Sequence, residues 1–227
     1  IPGAQSTDWL LLLCFAPIVR FTNSLSCCVR DTTGSWSLCA LPSGWPMSGY
    51  PSSLSALKLP ELFEGVLVRR YKRFLADIIT KNGEQLTVHC PNTGSMTGCA
   101  LPDSRIYYSI SDNAKRKYTG TLEFVESENG LVSVNTGRAN ALVGEGLIKK
   151  CIEELKEYPE IKPEIKIPEG DGRFDFLASH GERRAYIEVK SVTLHIEGNQ
   201  GAFPDSVSAR ARKHVNALLR RVEAGDR

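Results

Sequence analysis

Asp175, Glu188 and Lys190 are residues of this 227-residue chain whose types and spacing could do chemistry. In Arg173-Phe174-Asp175-Phe176-Leu177 the two phenylalanines share one face of a strand and Asp175 takes the other, because side chains alternate. In Tyr186-Ile187-Glu188-Val189-Lys190 the apolar Ile187 and Val189 share a face, which leaves Glu188 and Lys190 together on the opposite one. Gly181-Glu182 reads as a two-residue hairpin loop, with Gly at the first central position of a II′ turn, and that register sets Asp175 directly across from Glu188. Two carboxylates with Cβ atoms roughly 5 Å apart repel unless positive charge lies between them. A divalent cation supplies that charge. Few carboxylates with open water positions suit Mg²⁺ or Mn²⁺, and no His or Cys is placed for zinc. Lys190 could then polarise a water or balance charge on a phosphorane-like transition state. The same pattern also reads as a solvated charged face in which Lys190 is only an ion-pair partner.

A second set of residues could hold a polyanion. Arg69-Arg70-Tyr71-Lys72-Arg73-Phe74 and Lys115-Arg116-Lys117-Tyr118 interleave cations with aromatics, the combination that tracks phosphates and stacks bases on small barrels. Tyr107 and Tyr108 add stacking groups. The bland alternative makes Tyr71 and Phe74 core residues and the cations a solvated outer face. The loop Pro91 to Gly98 carries two glycines with Asn92, Thr93, Ser95 and Thr97, a composition suited to an anion nest or to a plain turn. In the last helix Arg210, Arg212, Lys213, His214, Arg220 and Arg221 favour phosphate contact, with a solvated basic face as the alternative.

The elements that must position these groups fall in two parts. Short strands are predicted at Gly65 to Tyr71, Phe74 to Ile79, Gln85 to His89, Arg105 to Ile110 and Gly120 to Val125, with Asn82-Gly83 as a hairpin turn between the second and third. Five short strands within about 70 residues point to a small barrel of OB type. Helical periodicity appears at Asn140 to Tyr158, ended by Pro159 and Pro163. Strands follow at Pro163 to Ile167, Gly172 to Ala178 and Ala185 to Leu194, then a helix from about Asp205 to Glu223. The second half therefore reads as α/β.

Residues 1 to 57 differ in kind. They hold two basic and two acidic residues, against 28 basic and 26 acidic in the whole chain, together with all three tryptophans and four of seven cysteines. The apolar run Trp9 to Ala16 is far short of the roughly 20 residues of a membrane helix. Asp8 before it and Ala16-Pro17-Ile18-Val19-Arg20 after it do not make an export signal. Met47 is a plausible start, so residues 1–58 are read as an atypical extension, non-native or disordered. Cys90, Cys99 and Cys151 are sparse and look like reduced cytoplasmic thiols. The net charge of +2 neither demands nor excludes a polyanionic partner.

At longer stretches the sequence resembles the bacterial and archaeal sugar fermentation stimulation protein A family. The resemblance lies in Glu64-Gly65 through Tyr71 to Asp77, His89 to Gly98, Ser111 to Tyr118, Val134-Asn135-Thr136 and Tyr186 to Leu194, and spans about residues 62 to 225. It implies an OB-like domain over 59–130, a restriction-endonuclease-like PD-(D/E)xK domain over 131–227, and DNA as partner with no membrane association. Carried over, the nuclease signature falls on Asp175, Glu188 and Lys190, with Glu145 as the helical acid and Asp175 and Glu188 as metal ligands. Gly144 and Gly146 flank Glu145, at a helix cost of roughly 1 kcal/mol each relative to alanine. The family continues beyond the position of Arg227, so the second domain is expected to be C-terminally incomplete, with a sheet edge open to a second copy of the chain. Two functions remain open: a metal-dependent DNA nuclease, and a non-catalytic DNA-binding regulator of sugar metabolism genes.

Overall fold

The computed structural model describes residues 59–128, 130–168, 170–195, 201–202 and 209–227, with three short strands upstream, β1 (Leu13–Phe15), β2 (Cys28–Arg30) and β3 (Trp36–Leu38). β2 and β3 pair with each other, and β1 runs parallel to Lys190–Val192. The expected character of residues 1–58 otherwise lies outside the described residues.

The barrel is built from β4 (Phe63–Tyr71), β5 (Leu75–Thr80), β6 (Gln85–His89), β7 (Arg105–Ile110) and β8 (Gly120–Ser127). Their order is β6-β5-β4-β7-β8, and a parallel contact between His89 of β6 and Thr121 of β8 closes it, which is the connectivity of an OB barrel. Leu67, Ile78, Val88, Ile106, Leu122 and Val125 are each fully buried inside, Leu122 and Val125 both so because the β7–β8 register shifts between Tyr107 and Tyr108. Closure brings backbones so near that a Cβ on Gly65 would stand 2.8 Å from the Ile79 carbonyl oxygen and one on Gly120 2.4 Å from a Val88 methyl. Asn82-Gly83 makes its turn with Gly83 at φ 84°. A sixth strand, β9 (Gly130–Ser133), extends the sheet beyond β8.

The second part opens with a 3-10 turn, Thr136–Arg138, and α1 (Ala139–Ile148). Its entry is fixed by a buried ion pair. Glu123 of β8 accepts from Arg138 Nε at 2.7 Å and Nη2 at 2.8 Å, from Ser109 Oγ at 2.8 Å and from Asn135 Nδ2 at 2.8 Å. α1 is shorter than the periodicity predicts. Cys151 N donates to the Gly146 carbonyl and Lys150 N to the Leu147 carbonyl, with Lys150 at φ 54°, so the chain leaves the helix through a paired left-handed cap. Of the remaining apolar residues of the expected helix, Leu155 belongs to a 3-10 turn, Glu153–Leu155, and Ile152 caps its start.

An antiparallel sheet of β10 (Glu160–Lys166), β11 (Arg173–His180) and β12 (Arg183–Ile187) follows. Val143 and Leu147 of α1 cluster with Phe176, Ala178, Ala185 and Ile187. β13 (Lys190–Val192), β14 (Leu194–His195) and β15 (Gly201–Ala202) lead to α2 (Ala209–Glu223); the expected helix start at Asp205 lies outside the described residues. α2 sets His214, Ala217, Leu218 and Arg221 at helical spacing against the sheet, where Ala217 and Leu218 cluster with Phe174, Leu177 and Tyr186. At the edge of β12, Arg227 N donates to the Arg184 carbonyl at 2.9 Å, and Tyr186 N to the Arg227 carbonyl at 2.8 Å.

Candidate functional site

The β11–β12 hairpin has the expected register, His180 against Arg183 and Phe176 against Ile187, with Gly181 at φ 60° in the two-residue loop. Asp175 and Glu188 stand one step beyond the last of these pairs. There the ladder stops, which corrects the continuous strand expected over 185–194. Val189 N donates to Asp175 Oδ2 at 2.6 Å, so a side-chain carboxylate takes the place of a strand carbonyl and the chain turns off between β12 and β13. The other Asp175 oxygen, Oδ1, accepts from Asn140 Nδ2 at 2.7 Å. Burial pushes the Asp175 carboxyl above its ordinary value, and the negative charge of Glu188 adds to the rise, against the hydrogen bonds from Val189 and Asn140 and the charge of Lys190.

Glu188 is held from two sides. Its Oε1 accepts from Lys190 Nζ at 2.6 Å and from His214 Nδ1 at 2.9 Å, with only 9% of the side chain exposed. Because a carboxylate oxygen accepts, the His214 proton belongs on Nδ1. Glu188 Oε2 is buried and has no hydrogen-bond partner among the described residues. An ionised oxygen out of water without a donor is costly, so this atom is an opening for a cation. Among the described residues no group of three or more His, Cys, Asp or Glu converges to hold a metal, so a cation here would rest on two carboxylates and water. Mg²⁺ characteristically keeps several waters, and a pair of carboxylates fits it.

Glu145 lies buried on α1 in an ion pair with Lys149; the α1 side chain that reaches Asp175 is Asn140. His214, grouped by sequence with the phosphate-contacting cations of α2, is buried against Glu188. Asn140 gave no sequence signal, and His214 gave one only through its helical spacing from buried Ala217 and Leu218.

The basic clusters occupy two barrel loops, β4–β5 and β7–β8. Lys72 and Arg73, both exposed, form the β4–β5 turn at φ 49° and 64°, and Phe74 beside them is 46% exposed. Phe74 is therefore not a core residue. Tyr71 donates to Asp77 Oδ1 at 3.1 Å and Arg69 to Asp77 Oδ2 at 2.9 Å, with the Arg69 guanidinium 5.0 Å from the Tyr71 ring centre. Burial alone would raise the Asp77 carboxyl, but hydrogen bonds from Thr87, Arg69 and Tyr71 hold it below its ordinary value. Arg70 is the exception to the expected phosphate contacts. Its Nη2 donates to the carbonyls of Arg73 at 2.6 Å, Asn92 at 2.9 Å and Gly94 at 2.8 Å, so it clamps loop to turn. Lys115, Arg116 and Lys117 lie in the β7–β8 loop, where Arg116 donates to Thr121 Oγ1 at 2.9 Å and Lys115 and Lys117 are exposed. A cleft of about 180 Å³ separates the barrel loop at Asn92, Thr93 and Gly94 from Asn140 and Lys190.

A closed OB barrel joined through a buried ion pair to an α/β domain with two facing carboxylates defines a two-domain class. Residues 68–134 match the family model described as the SfsA N-terminal OB domain, and residues 137–227 the one described as the sugar fermentation stimulation protein RE domain. The chain belongs to the sugar fermentation stimulation protein family. It is 53% identical over 161 residues to a sugar fermentation stimulation protein homolog of Teredinibacter turnerae, covering 70% of this chain and 69% of that protein. A homolog from Shewanella frigidimarina is 47% identical over 170 residues, covering 74% and 72%. Among solved structures, that of Pyrococcus furiosus SfsA in complex with Ca²⁺ has the same fold, with a TM-score of 0.62, 22% identity and coverage of 75% of this chain and 71% of that one. No helix among the described residues is long and apolar enough to cross a membrane.

Proposed function

We propose that the chain is a cytoplasmic DNA-binding protein whose second domain, of the PD-(D/E)xK nuclease type, hydrolyses phosphodiester bonds with a divalent cation held by Asp175 and Glu188. The observation that carries this reading is Glu188 Oε2, a buried carboxylate oxygen with no donor among the described residues, on a group whose charge acts on a second carboxylate, Asp175. The Ca²⁺ of the Pyrococcus furiosus relative supports a hard, oxygen-preferring ion. Bound Mg²⁺ or Mn²⁺ would supply Lewis acidity and a water acidic enough to attack at neutral pH.

The protein's own groups divide the remaining work. Asn140 and the Val189 N–H fix the orientation of Asp175, and His214 fixes that of Glu188. The Lys190 ammonium neutralises charge developing on the phosphate. Glu145 is the helical acid of this reading, its carboxylate held by Lys149. Lys72, Arg73, Lys115, Arg116 and Lys117 hold phosphates on the barrel, with Phe74 offering a stacking surface. The non-catalytic regulator is favoured by a different observation: both Asp175 oxygens already accept hydrogen bonds, and among the described residues no third acidic ligand converges on the pair. Incubation with plasmid and single-stranded DNA in Mg²⁺, Mn²⁺ or EDTA decides between them. Cleavage abolished by EDTA supports the nuclease, cleavage surviving in EDTA removes the metal, and binding without cleavage leaves the regulator.

A further inference from the structure

The cleft between the two domains has one wall from the barrel, Asn92, Thr93 and Gly94, and another from Lys190, Ser191 and Thr193, with Asn140 at its side. Its lining mixes polar groups with Met96, Ala139 and Val189, and Lys190 is its one charged side chain among the described residues. At about 180 Å³ it is smaller than the ~300–1,000 Å³ of pockets that enclose a whole small ligand, so it suits one unit of a polymer better than a free nucleotide. Its barrel wall is built on purpose-made contacts. A single nitrogen, Arg70 Nη2, binds the carbonyls of Asn92 and Gly94 and also that of Arg73, so the exposed Lys72-Arg73 turn and the cleft wall are fixed within reach of one guanidinium. The wall also follows directly on β6, at the end of the β5–β6 face. Arg70 holds this wall of the cleft, which has Lys190 in its lining, to the Lys72-Arg73 turn.

We infer that this cleft is a subsite for one sugar–phosphate unit of a single strand, next to the phosphate presented to Lys190, and that the strand held by the barrel is the strand delivered to the acidic pair. The inference rests on the nuclease reading for its chemistry but not for its geometry. Arg70 acts here as a positioning residue for the wall. A single strand is the substrate because the barrel surface offers an exposed stacking side chain, Phe74, directly beside cations, a combination that suits unpaired bases.

The test uses the full chain and a 12-nucleotide single strand carrying 5-iodouridine, photo-crosslinked and mapped by mass spectrometry, beside cleavage assays on the same strand and its duplex. Crosslinks are expected in residues 90–99, and single strand is expected to be cut at least tenfold faster than duplex. The exposed Thr93→Tyr, which fills the cleft, should lower kcat/KM at least tenfold with an unchanged melting temperature. Arg70→Met should lower kcat more than it raises KM. Crosslinks in 90–99 without cleavage of any DNA would uphold the subsite and remove the nuclease reading. Cleavage of duplex as fast as single strand, with no crosslinks in 90–99 and normal turnover by Thr93→Tyr, would overturn the subsite and leave the nuclease.

Discussion

Replacing Arg138 with methionine removes both charge-assisted hydrogen bonds to Glu123, whose residue surface is only 1% exposed. Breaking a buried pair by deleting one partner costs about 3–5 kcal/mol, since the remaining charge cannot reach water. The lower end applies here, because Glu123 keeps Ser109 and Asn135 as donors. At about 2–4 °C per kcal/mol for a chain of this size, a loss of about 3 kcal/mol lowers the melting temperature by roughly 6–12 °C. The pH dependence is more diagnostic. Burial alone would push the Glu123 carboxyl up, but the hydrogen bonds from Arg138, Asn135 and Ser109 outweigh it and hold the group below its ordinary value. A depressed folded pKa contributes stability above the unfolded value of about 4.3, and loses it as pH falls through the folded value. In the variant burial prevails, so Glu123 takes up a proton in the fold more readily than in the unfolded chain. The gap between parent and variant is therefore widest at neutral pH and narrows below about pH 5. Urea unfolding at several pH values measures it, and Glu123→Gln in the Arg138→Met background should recover part of the loss. A gap under about 1 kcal/mol, or one independent of pH, would refute the reasoning.

Asp175→Asn should end any turnover yet raise the melting temperature at pH 7. Burial and Glu188 raise the folded pKa of Asp175, so its stabilising influence exists only in acid and is lost as pH rises through that value; melting curves near pH 3 and pH 7 show whether the gain disappears in acid. Lys72→Ala with Arg73→Ala should weaken DNA binding and reduce the slope of log K against log salt by about 1.4–1.8, the share of two phosphates. Arg70→Met should instead lower the melting temperature and leave that slope nearly unchanged, since Arg70 binds carbonyls rather than solvent-facing ligands. Alkylation at pH 8 followed by peptide mapping should label exposed Cys151 rapidly, whereas buried Cys99, its thiol pushed up to about 11 by burial, should react at least about 100-fold more slowly until the protein unfolds.

The barrel was legible because its signals are local. Alternation and the Asn82-Gly83 turn located all five barrel strands to within a few residues, and Gly181-Glu182 set the hairpin register as far as Phe176 against Ile187, one step short of Asp175 and Glu188. What escaped depends on contacts distant in sequence. The apolar residues after Ile148 continue a helical period, but Lys150 turns left-handed and the helix ends there. Alternation through Glu188 and Val189 promises an unbroken strand, and only the Asp175 side chain, taking the Val189 N–H, interrupts it. Arg70 reads as one of four cations in a row until the loop 22 residues later folds its carbonyls onto it. His214 reads as part of a basic helix, and its partner Glu188 lies on a different element.

The central claim is that Asp175 and Glu188 together hold a divalent cation, and calorimetric titration of the full chain with Mn²⁺ tests it without any need for turnover. One ion per chain is expected, lost in Glu188→Gln and Asp175→Asn but largely retained in Lys190→Ala, because the lysine serves the phosphate and not the ion. No binding at millimolar Mn²⁺, or binding that survives Glu188→Gln unchanged, would contradict the account.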